Sequence, residues 1–243
     1  MKNRVEIKAE ARALIRSGTV SPLLVSAIVI AVQIFLSELT TYLETGTFSF
    51  LQIMEVMKTG DYSPLLAVSA EEIPVYASFV SILCSLVITV LTAGYYAYCM
   101  GIHRGLEMPV SSLLDGLGIA GKVIWCSILM SIKTFLWSLL FIIPGIVAVY
   151  RYRFAIYNLI TDNSLSASEA IALSCRQTEG MKADLFILDL SFLGWELLSL
   201  LTLGILDIWR LPYLIFSDLG YYEQAQLRMG TAASGDAPPP WES

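Results

Sequence analysis

The apolar residues of this chain are grouped in long uncharged blocks separated by polar segments. Residues 76–101 contain no Asp, Glu, Lys or Arg, and residues 21–35 form a second block of this kind. About 20 apolar residues are enough for an α-helix to cross the hydrocarbon of a bilayer. The strands of a membrane β-barrel would show shorter, alternating segments. The pattern predicts an all-α, polytopic membrane protein.

Composition agrees with this class. The chain is 56% hydrophobic and only 15% charged, whereas about a quarter of the residues of a soluble domain are charged. The first apolar block begins near residue 21 and more blocks follow, so we expect a membrane helix there and not a cleavable signal peptide. The four cysteines form no C-x-x-C pair. We expect them to act as small hydrophobic residues within apolar segments.

The distribution of basic residues predicts the topology. Residues 1–21 carry five Lys and Arg, whereas residues 44–75 carry Lys58 alone, and cytoplasmic loops are enriched in Lys and Arg. We therefore expect the N-terminus in the cytoplasm and the loop at 44–75 outside. The loops around 102–122 and 162–184 also contain basic residues and are expected inside.

Two consecutive inside loops require an even number of crossings between them. Residues 122–161 are long enough for two spans at about 1.5 Å per residue. Pro144-Gly145 is the expected turn, because proline cannot continue a helix and glycine accepts a tight backbone. Leu203-Gly204-Ile205 divides the next apolar stretch in the same way. The alternative, one span over 122–150, would place the basic loop at 162–184 outside.

The predicted architecture is a single membrane domain over residues 1–229 with six transmembrane helices, short interfacial amphipathic helices and both termini in the cytoplasm. Residues 230–243 are expected to be a disordered tail, because they have little to bury. The six spans are predicted at about 22–43, 76–101, 122–143, 145–161, 183–203 and 205–225.

Residues 3–16 have the spacing of an amphipathic helix with a basic stripe along one side. The helix either determines topology or also binds anionic lipids of the cytoplasmic leaflet. The stripe consists of Arg4, Lys8, Arg12 and Arg16.

Residues 166–179 are predicted to form a second amphipathic helix. Ser166 and Glu169 have the spacing of a capping box, and small residues follow on one face. That face either packs on the spans or receives a partner protein. Residues 109–121 are expected to form a third short helix or an elbow.

Several stretches resemble one bacterial family. They are IIPGI (142–146), TDNSLSASEAI (161–171), LFILDLSFLGW (185–195), LLTLGI (200–205), LPY (211–213) and RG-x-x-x-x-x-S-x-L-x-D-G-x (104–117). The family is an integral-membrane one catalogued as domain of unknown function nine hundred and seventy-five. Ser164 stands where the family commonly has proline. The resemblance implies six membrane helices and a bacterial plasma (inner) membrane, and it supplies no reaction or substrate.

Ionisable residues within membrane spans are costly and mark candidate functional sites. Arg153 and Glu196 are predicted to lie at the same depth in the bilayer, and Arg151 or Arg210 can share Glu196. Lys133 and Asp218 are predicted to lie at a second common depth. Asp189 is level with Tyr157 and Asn158. These charges either fix helix register as ion pairs or line a polar path for a proton, ion or lipid headgroup. The candidate network is Lys133, Arg151, Arg153, Asp189, Glu196, Arg210 and Asp218.

No motif of zinc proteolysis, serine hydrolysis or nucleotide hydrolysis occurs, and His103 is the single histidine. We expect no catalytic residue, metal, cofactor or nucleic-acid partner. The leading hypothesis is a non-catalytic structural or adaptor protein whose partners are the lipid bilayer and another membrane protein. The alternative is a small secondary transporter or lipid-handling protein that uses the charges of spans three to six.

Overall fold

A computed structural model describes residues 2–16, 21–60, 74–202 and 204–234. These residues form α-helices and contain no β-strand, in agreement with the predicted class. A 3-10 turn at Val110–Leu114 lies between the fourth and fifth helices. The helices are α1 (Arg4–Leu14), α2 (Pro22–Thr45), α3 (Ser49–Thr59), α4 (Val75–His103), α5 (Asp115–Gly118), α6 (Ala120–Leu140), α7 (Ile142–Tyr152), α8 (Ala155–Thr161), α9 (Ala167–Gln177), α10 (Lys182–Leu190), α11 (Leu193–Leu201) and α12 (Asp207–Ser234).

Three of these helices, α2, α4 and α6, are long and apolar enough to cross a membrane. They correspond to the first three predicted spans. The continuous helices predicted at 145–161 and 183–203 are wrong, because the first divides into α7 and α8 and the second into α10 and α11. The 11 residues of α7 extend about 16 Å, roughly half the hydrocarbon thickness.

The chain divides into two compact units, Ile28–Thr89 and Met1–Ala27 with Val90–Ser243. The first contains α3, a helix within the predicted loop at 44–75; residues 61–73 of that loop lie outside the described residues. Glu38 accepts a hydrogen bond from the Ser49 N–H (3.0 Å) at the start of α3. Gly60 ends this helix with φ 68°, a conformation that glycine adopts without strain.

The turn between α6 and α7 lies at Phe141, before the predicted Pro144-Gly145 pair. Phe141 is extended (φ −160°, ψ 153°) and Pro144 is the third residue of α7. An N–H in the first turn of a helix has no intrahelical acceptor, so proline costs nothing there. Gly145 serves helix packing, because a Cβ atom at this position would lie 2.1 Å from Ser138 Oγ. The turn thus lies earlier than predicted, and α6 is followed by the two shorter helices α7 and α8.

The predicted elbow at 109–121 is the 3-10 turn followed by α5, and it packs on α4 through two glycines. A Cβ atom on Gly94 would lie 2.0 Å from the Leu113 carbonyl oxygen, and one on Gly116 would lie 2.7 Å from the Val90 carbonyl oxygen. These backbones approach too closely for any side chain. Gly116 of the stretch at 104–117 therefore has a structural role.

Proline 212 lies inside α12 and removes one helical hydrogen bond. Its missing N–H would have bonded the carbonyl of Ile208. Ser26 Oγ, which is fully buried, donates to that carbonyl oxygen at 2.7 Å. A hydroxyl of α2 thus replaces the backbone donor that the proline lacks.

Helix α12 ends later than predicted. The tail was expected from residue 230, but α12 continues to Ser234, since the Ala-rich segment after Gly230 has high helix propensity. The remaining tail, 235–243, lies outside the described residues.

The turn predicted at 203–205 is described in part, since Leu203 lies outside the described residues. Gly204 has φ 85° and donates its N–H to the Ser199 carbonyl oxygen (2.9 Å), so the end of α11 lies close to the predicted turn.

We predict that Gly94→Ala destabilises the protein by about 1–3 kcal/mol, because a methyl group must displace the backbone at Leu113. The measurement is thermal unfolding in mild detergent. Gly118→Ala is the matched control, since a Cβ atom there has nothing within 4 Å. Equal melting temperatures for the two variants would contradict the close approach.

We predict that Ser26→Ala costs about 1–3 kcal/mol, because it leaves the Ile208 carbonyl unpaired. Adding Pro212→Ala should recover part of this loss, since an alanine at 212 supplies the backbone N–H. A double-mutant cycle of denaturation midpoints tests the coupling. Additive effects of the two substitutions would show that Ser26 does not compensate for the proline.

Candidate functional site

The site begins at an interruption of helical structure at Arg153 and Phe154, between α7 and α8. The hydroxyl of Ser174 on α9 donates to the Arg151 carbonyl oxygen (2.8 Å) and accepts from the Phe154 N–H (3.0 Å). Ser174 is fully buried, so one side chain pairs both backbone groups that the interruption exposes. Serine and threonine hydroxyls commonly pair such groups in membrane helices.

The interruption directs the Arg153 side chain towards carboxylates on two other helices. Its Nη1 and Nη2 atoms donate to Asp189 Oδ2 and Oδ1, each at 2.7 Å. Its Nε atom contacts both oxygens of Asp218 at 3.1 Å, and Nη2 also donates to Asp218 Oδ1 at 2.8 Å. Arginine suits this position, because its planar fork presents donors in fixed directions.

We call Arg153, Asp189 and Asp218 the arginine–carboxylate triad. The side chains are 15%, 36% and 10% exposed respectively, and Tyr150 also donates its hydroxyl to Asp189 Oδ2 (3.0 Å). The triad joins the α7–α8 junction to α10 and α12. With both carboxylates ionised, it carries one negative charge in excess.

A buried amide pair continues from the triad along α8 and α9. Asn158 Nδ2 donates to Gln177 Oε1, and Gln177 Nε2 donates to Asn158 Oδ1, both at 2.9 Å. The Tyr222 hydroxyl of α12 donates to the same Asn158 oxygen at 3.0 Å. The rings of Phe154 and Tyr157 pack on Tyr222 with centroids 5.5 and 5.6 Å away. These contacts hold α8, α9 and α12 together around the triad.

Comparison with known proteins shows that the sequence of this chain matches one protein family. The family described as "Protein of unknown function (DUF975)" matches residues 1–156 and 141–228. The chain belongs to this family. No curated protein and no solved structure matches it. The resemblance expected from the sequence is thereby confirmed: the family is one of unknown function, and three helices of the described residues are long and apolar enough to cross a membrane.

The stretch LFILDLSFLGW that resembles the family contains three residues of this site. Asp189 belongs to the triad, and Ser191 and Phe192 form the junction between α10 and α11. Lys8 of α1 docks at this junction. Its Nζ atom donates to Ser191 Oγ (2.9 Å) and lies 4.2 Å from the centre of the Phe192 ring.

Two residues of the basic stripe have partners within the protein. Lys8 contacts Ser191 and Phe192, and Arg12 Nε donates to the Tyr213 hydroxyl (3.1 Å). The apolar face of α1 is buried within the protein, where Ile7 lies against Gly220 of α12. Burial, together with the neighbouring Arg4 and Arg12, lowers the pKa of Lys8. Lys8 is partly buried and contacts Ser191 and Phe192, whereas Arg12 is exposed, so the lipid-binding alternative for the stripe stays a prediction.

The predicted cap of α9 is present. Ser166 Oγ accepts from the Glu169 N–H (3.3 Å), and Glu169 Oε2 accepts from the Ser166 N–H (2.8 Å). These bonds to Ser166 lower the pKa of Glu169. The small-residue face behind the cap is buried at Ala170, Ile171 and Ser174, so packing and not a partner protein covers it.

The predicted pairing of Arg153 with Glu196 is wrong. Glu196 is largely exposed and lies 3.7 Å from Arg210 Nη1, as the shared alternative allowed. Arg210 Nε also donates to Asp207 at 2.5 Å. Asp189 takes a hydrogen bond from Tyr150 instead of Tyr157 or Asn158. Depth counted along continuous helices fails here, because the helices are interrupted at 153–154 and 191–192.

The pairing of Lys133 with Asp218 is also wrong, since Asp218 bonds Arg153. Lys133 and Arg151 instead line a cavity of about 560 Å³ between α6, α7 and α9. Arg151 and Arg153 thus point to different partners, as their spacing on a helix requires. The described residues contain no cluster of three or more His, Cys, Asp or Glu suited to a metal ion.

We predict that Asp218→Asn lowers stability by about 3–5 kcal/mol, because it removes one partner of a buried, hydrogen-bonded arginine. Thermal unfolding in mild detergent measures the loss. Asp184→Asn is the matched control: it removes the same charge from an exposed residue of α10. Equal stability of Asp218→Asn and wild type would mean that the triad does not stabilise the fold.

Proposed function

We propose that this protein is an integral component of the bacterial plasma membrane that acts without catalysis, as a structural or adaptor protein. The observation that supports this is the closed triad. Each guanidinium nitrogen of Arg153 donates to Asp189 or Asp218. A transport path requires ionisable groups that exchange partners, whereas these groups are held by one another and by Tyr150.

The proposal includes six membrane segments with both termini in the cytoplasm. Helices α2, α4 and α6 supply three of them. The pairs α7–α8 and α10–α11 supply two more; residues 142–161 extend about 30 Å if helical throughout. The first part of α12 supplies the sixth. Interrupted helices are compatible with membrane depth when protein groups pair the freed backbone, and Ser174 provides this at residues 151–154. The basic N-terminal segment supports the orientation.

The alternative is a small secondary transporter or lipid-handling protein. One observation favours it: the triad has two carboxylates for one arginine. Its excess negative charge would be neutralised if one of the carboxylates bound a proton. Intramembrane carboxylates of this kind take part in proton relays of known transporters.

Proton flux into proteoliposomes that contain a pH-sensitive dye distinguishes the two functions. We expect no flux under an imposed membrane potential, either with wild type or with the neutral variant R153Q/D189N/D218N. The neutral variant should be more stable than Asp218→Asn alone, because it leaves no unpaired charge. For the adaptor role we expect a partner protein in fixed stoichiometry after mild-detergent purification.

Flux in wild type that is lost in the neutral variant, and kept in the Asp184→Asn control, would contradict the structural role. It would establish the triad as a proton path. Flux that is unaffected by the neutral variant would place the path elsewhere and would equally contradict a purely structural protein. Purification of wild type without any stoichiometric partner would contradict the adaptor role and leave the structural one.

A further inference from the structure

The cavity between α6, α7 and α9 combines positive charge with an apolar wall. Lys133, Trp137 and Leu140 line it from α6, and Arg151 lines it from α7. Its volume, about 560 Å³, lies within the range of small-molecule sites. None of the residues that line it is acidic.

Lys133 and Arg151 are the intramembrane cations that the protein itself does not neutralise. Within the described residues neither side chain forms an ion pair or a hydrogen bond. Arg153 takes Asp189 and Asp218, and Arg210 takes Asp207 and Glu196. Each of two arginines holds two carboxylates, and two cations remain.

Unpaired cations at this location need an anion. Lys133 lies in α6, a helix long and apolar enough to cross a membrane, where an uncompensated charge is expensive. A partner from outside the chain would offset that cost. Since the two cations lie on neighbouring helices and line one cavity, a single anionic group can contact both.

The rest of the cavity indicates what carries that anion. Leu136, Leu140 and Trp137 are exposed in the isolated chain, and in a bilayer this side of α6 meets acyl chains. Tryptophan combines a flat apolar ring with an N–H donor, which suits the boundary between headgroup and chain. A soluble anion would leave this apolar wall uncovered, whereas a lipid covers it.

We propose that the cavity binds an anionic phospholipid. Its phosphate lies between Lys133 and Arg151, and its acyl chains cover the exposed apolar side of α6 beside Trp137. Arginine binds phosphate through two parallel N–H donors and lysine acts as a point charge. This site is independent of the triad and of the adaptor role.

Native mass spectrometry of the full chain in mild detergent tests the proposal, with phosphatidylglycerol and phosphatidylcholine added in equal amounts. We expect wild type to retain phosphatidylglycerol about tenfold more strongly, and Lys133→Gln/Arg151→Gln to lose about that factor, the change for one charge-assisted contact. The control Arg176→Gln/Lys182→Gln removes the same charge outside the cavity and should retain the lipid.

Equal retention of the two lipids, or equal loss in the control variant, would overturn the proposal, because binding would then reflect overall charge. Displacement of the lipid by excess inorganic phosphate would also overturn it, since the site would then bind a free anion.

A second measurement does not depend on the charge variants. Brominated phosphatidylglycerol in liposomes should quench the fluorescence of Trp137 more than brominated phosphatidylcholine does, with Trp137→Phe defining the contribution of that residue. Equal quenching by the two lipids would contradict a bound anionic lipid at this cavity.

Discussion

The interruption of the helix at Arg153 is the constraint on which the C-terminal half of the structure depends. A continuous helix from 142 to 161 would keep all its backbone groups paired within itself, and would leave Arg153 to face a single neighbour. The interruption exposes backbone groups, and these are paired only because Ser174 of α9 lies beside them. In return, the guanidinium reaches carboxylates on α10 and α12. The same interruption therefore has its backbone groups paired by α9 and its arginine paired by α10 and α12.

Proline 212 shows the same principle at a second position. The backbone N–H is missing there because the residue is proline, and the helix is not broken. The Ser26 hydroxyl of another helix donates to the Ile208 carbonyl oxygen in its place. Both serines are fully buried, where an unpaired carbonyl would cost free energy without a compensating contact to water. At these two positions a hydroxyl from a different helix pairs the irregular backbone. Each such hydroxyl also fixes the position of two helices relative to each other.

Much of the fold follows from the sequence, and the site follows only in part. Long, mainly apolar blocks predict α2, α4 and α6, because length and apolar composition decide whether a helix can span a bilayer. The cap at Ser166 and Glu169 follows from local spacing. The turn at Phe141 does not, since proline is compatible with both a turn and the first turn of a helix, and only packing of Gly145 on Ser138 decides between them. The breaks at 153–154 and 191–192 carry no Gly or Pro, so no local signal marks them.

Those unmarked breaks explain why the charged residues were paired incorrectly. Counting depth along straight helices placed Arg153 level with Glu196, whereas its side chain bonds Asp189 and Asp218. The charged residues also do not pair one to one, since Arg153 holds two carboxylates. Two carboxylates on one arginine concentrate negative charge at the triad, and the excess of positive charge lies at Lys133 and Arg151. Within the described residues, no carboxylate pairs with Lys133 or Arg151. An anionic lipid in the bilayer would match both the positive charge of their cavity and its apolar wall.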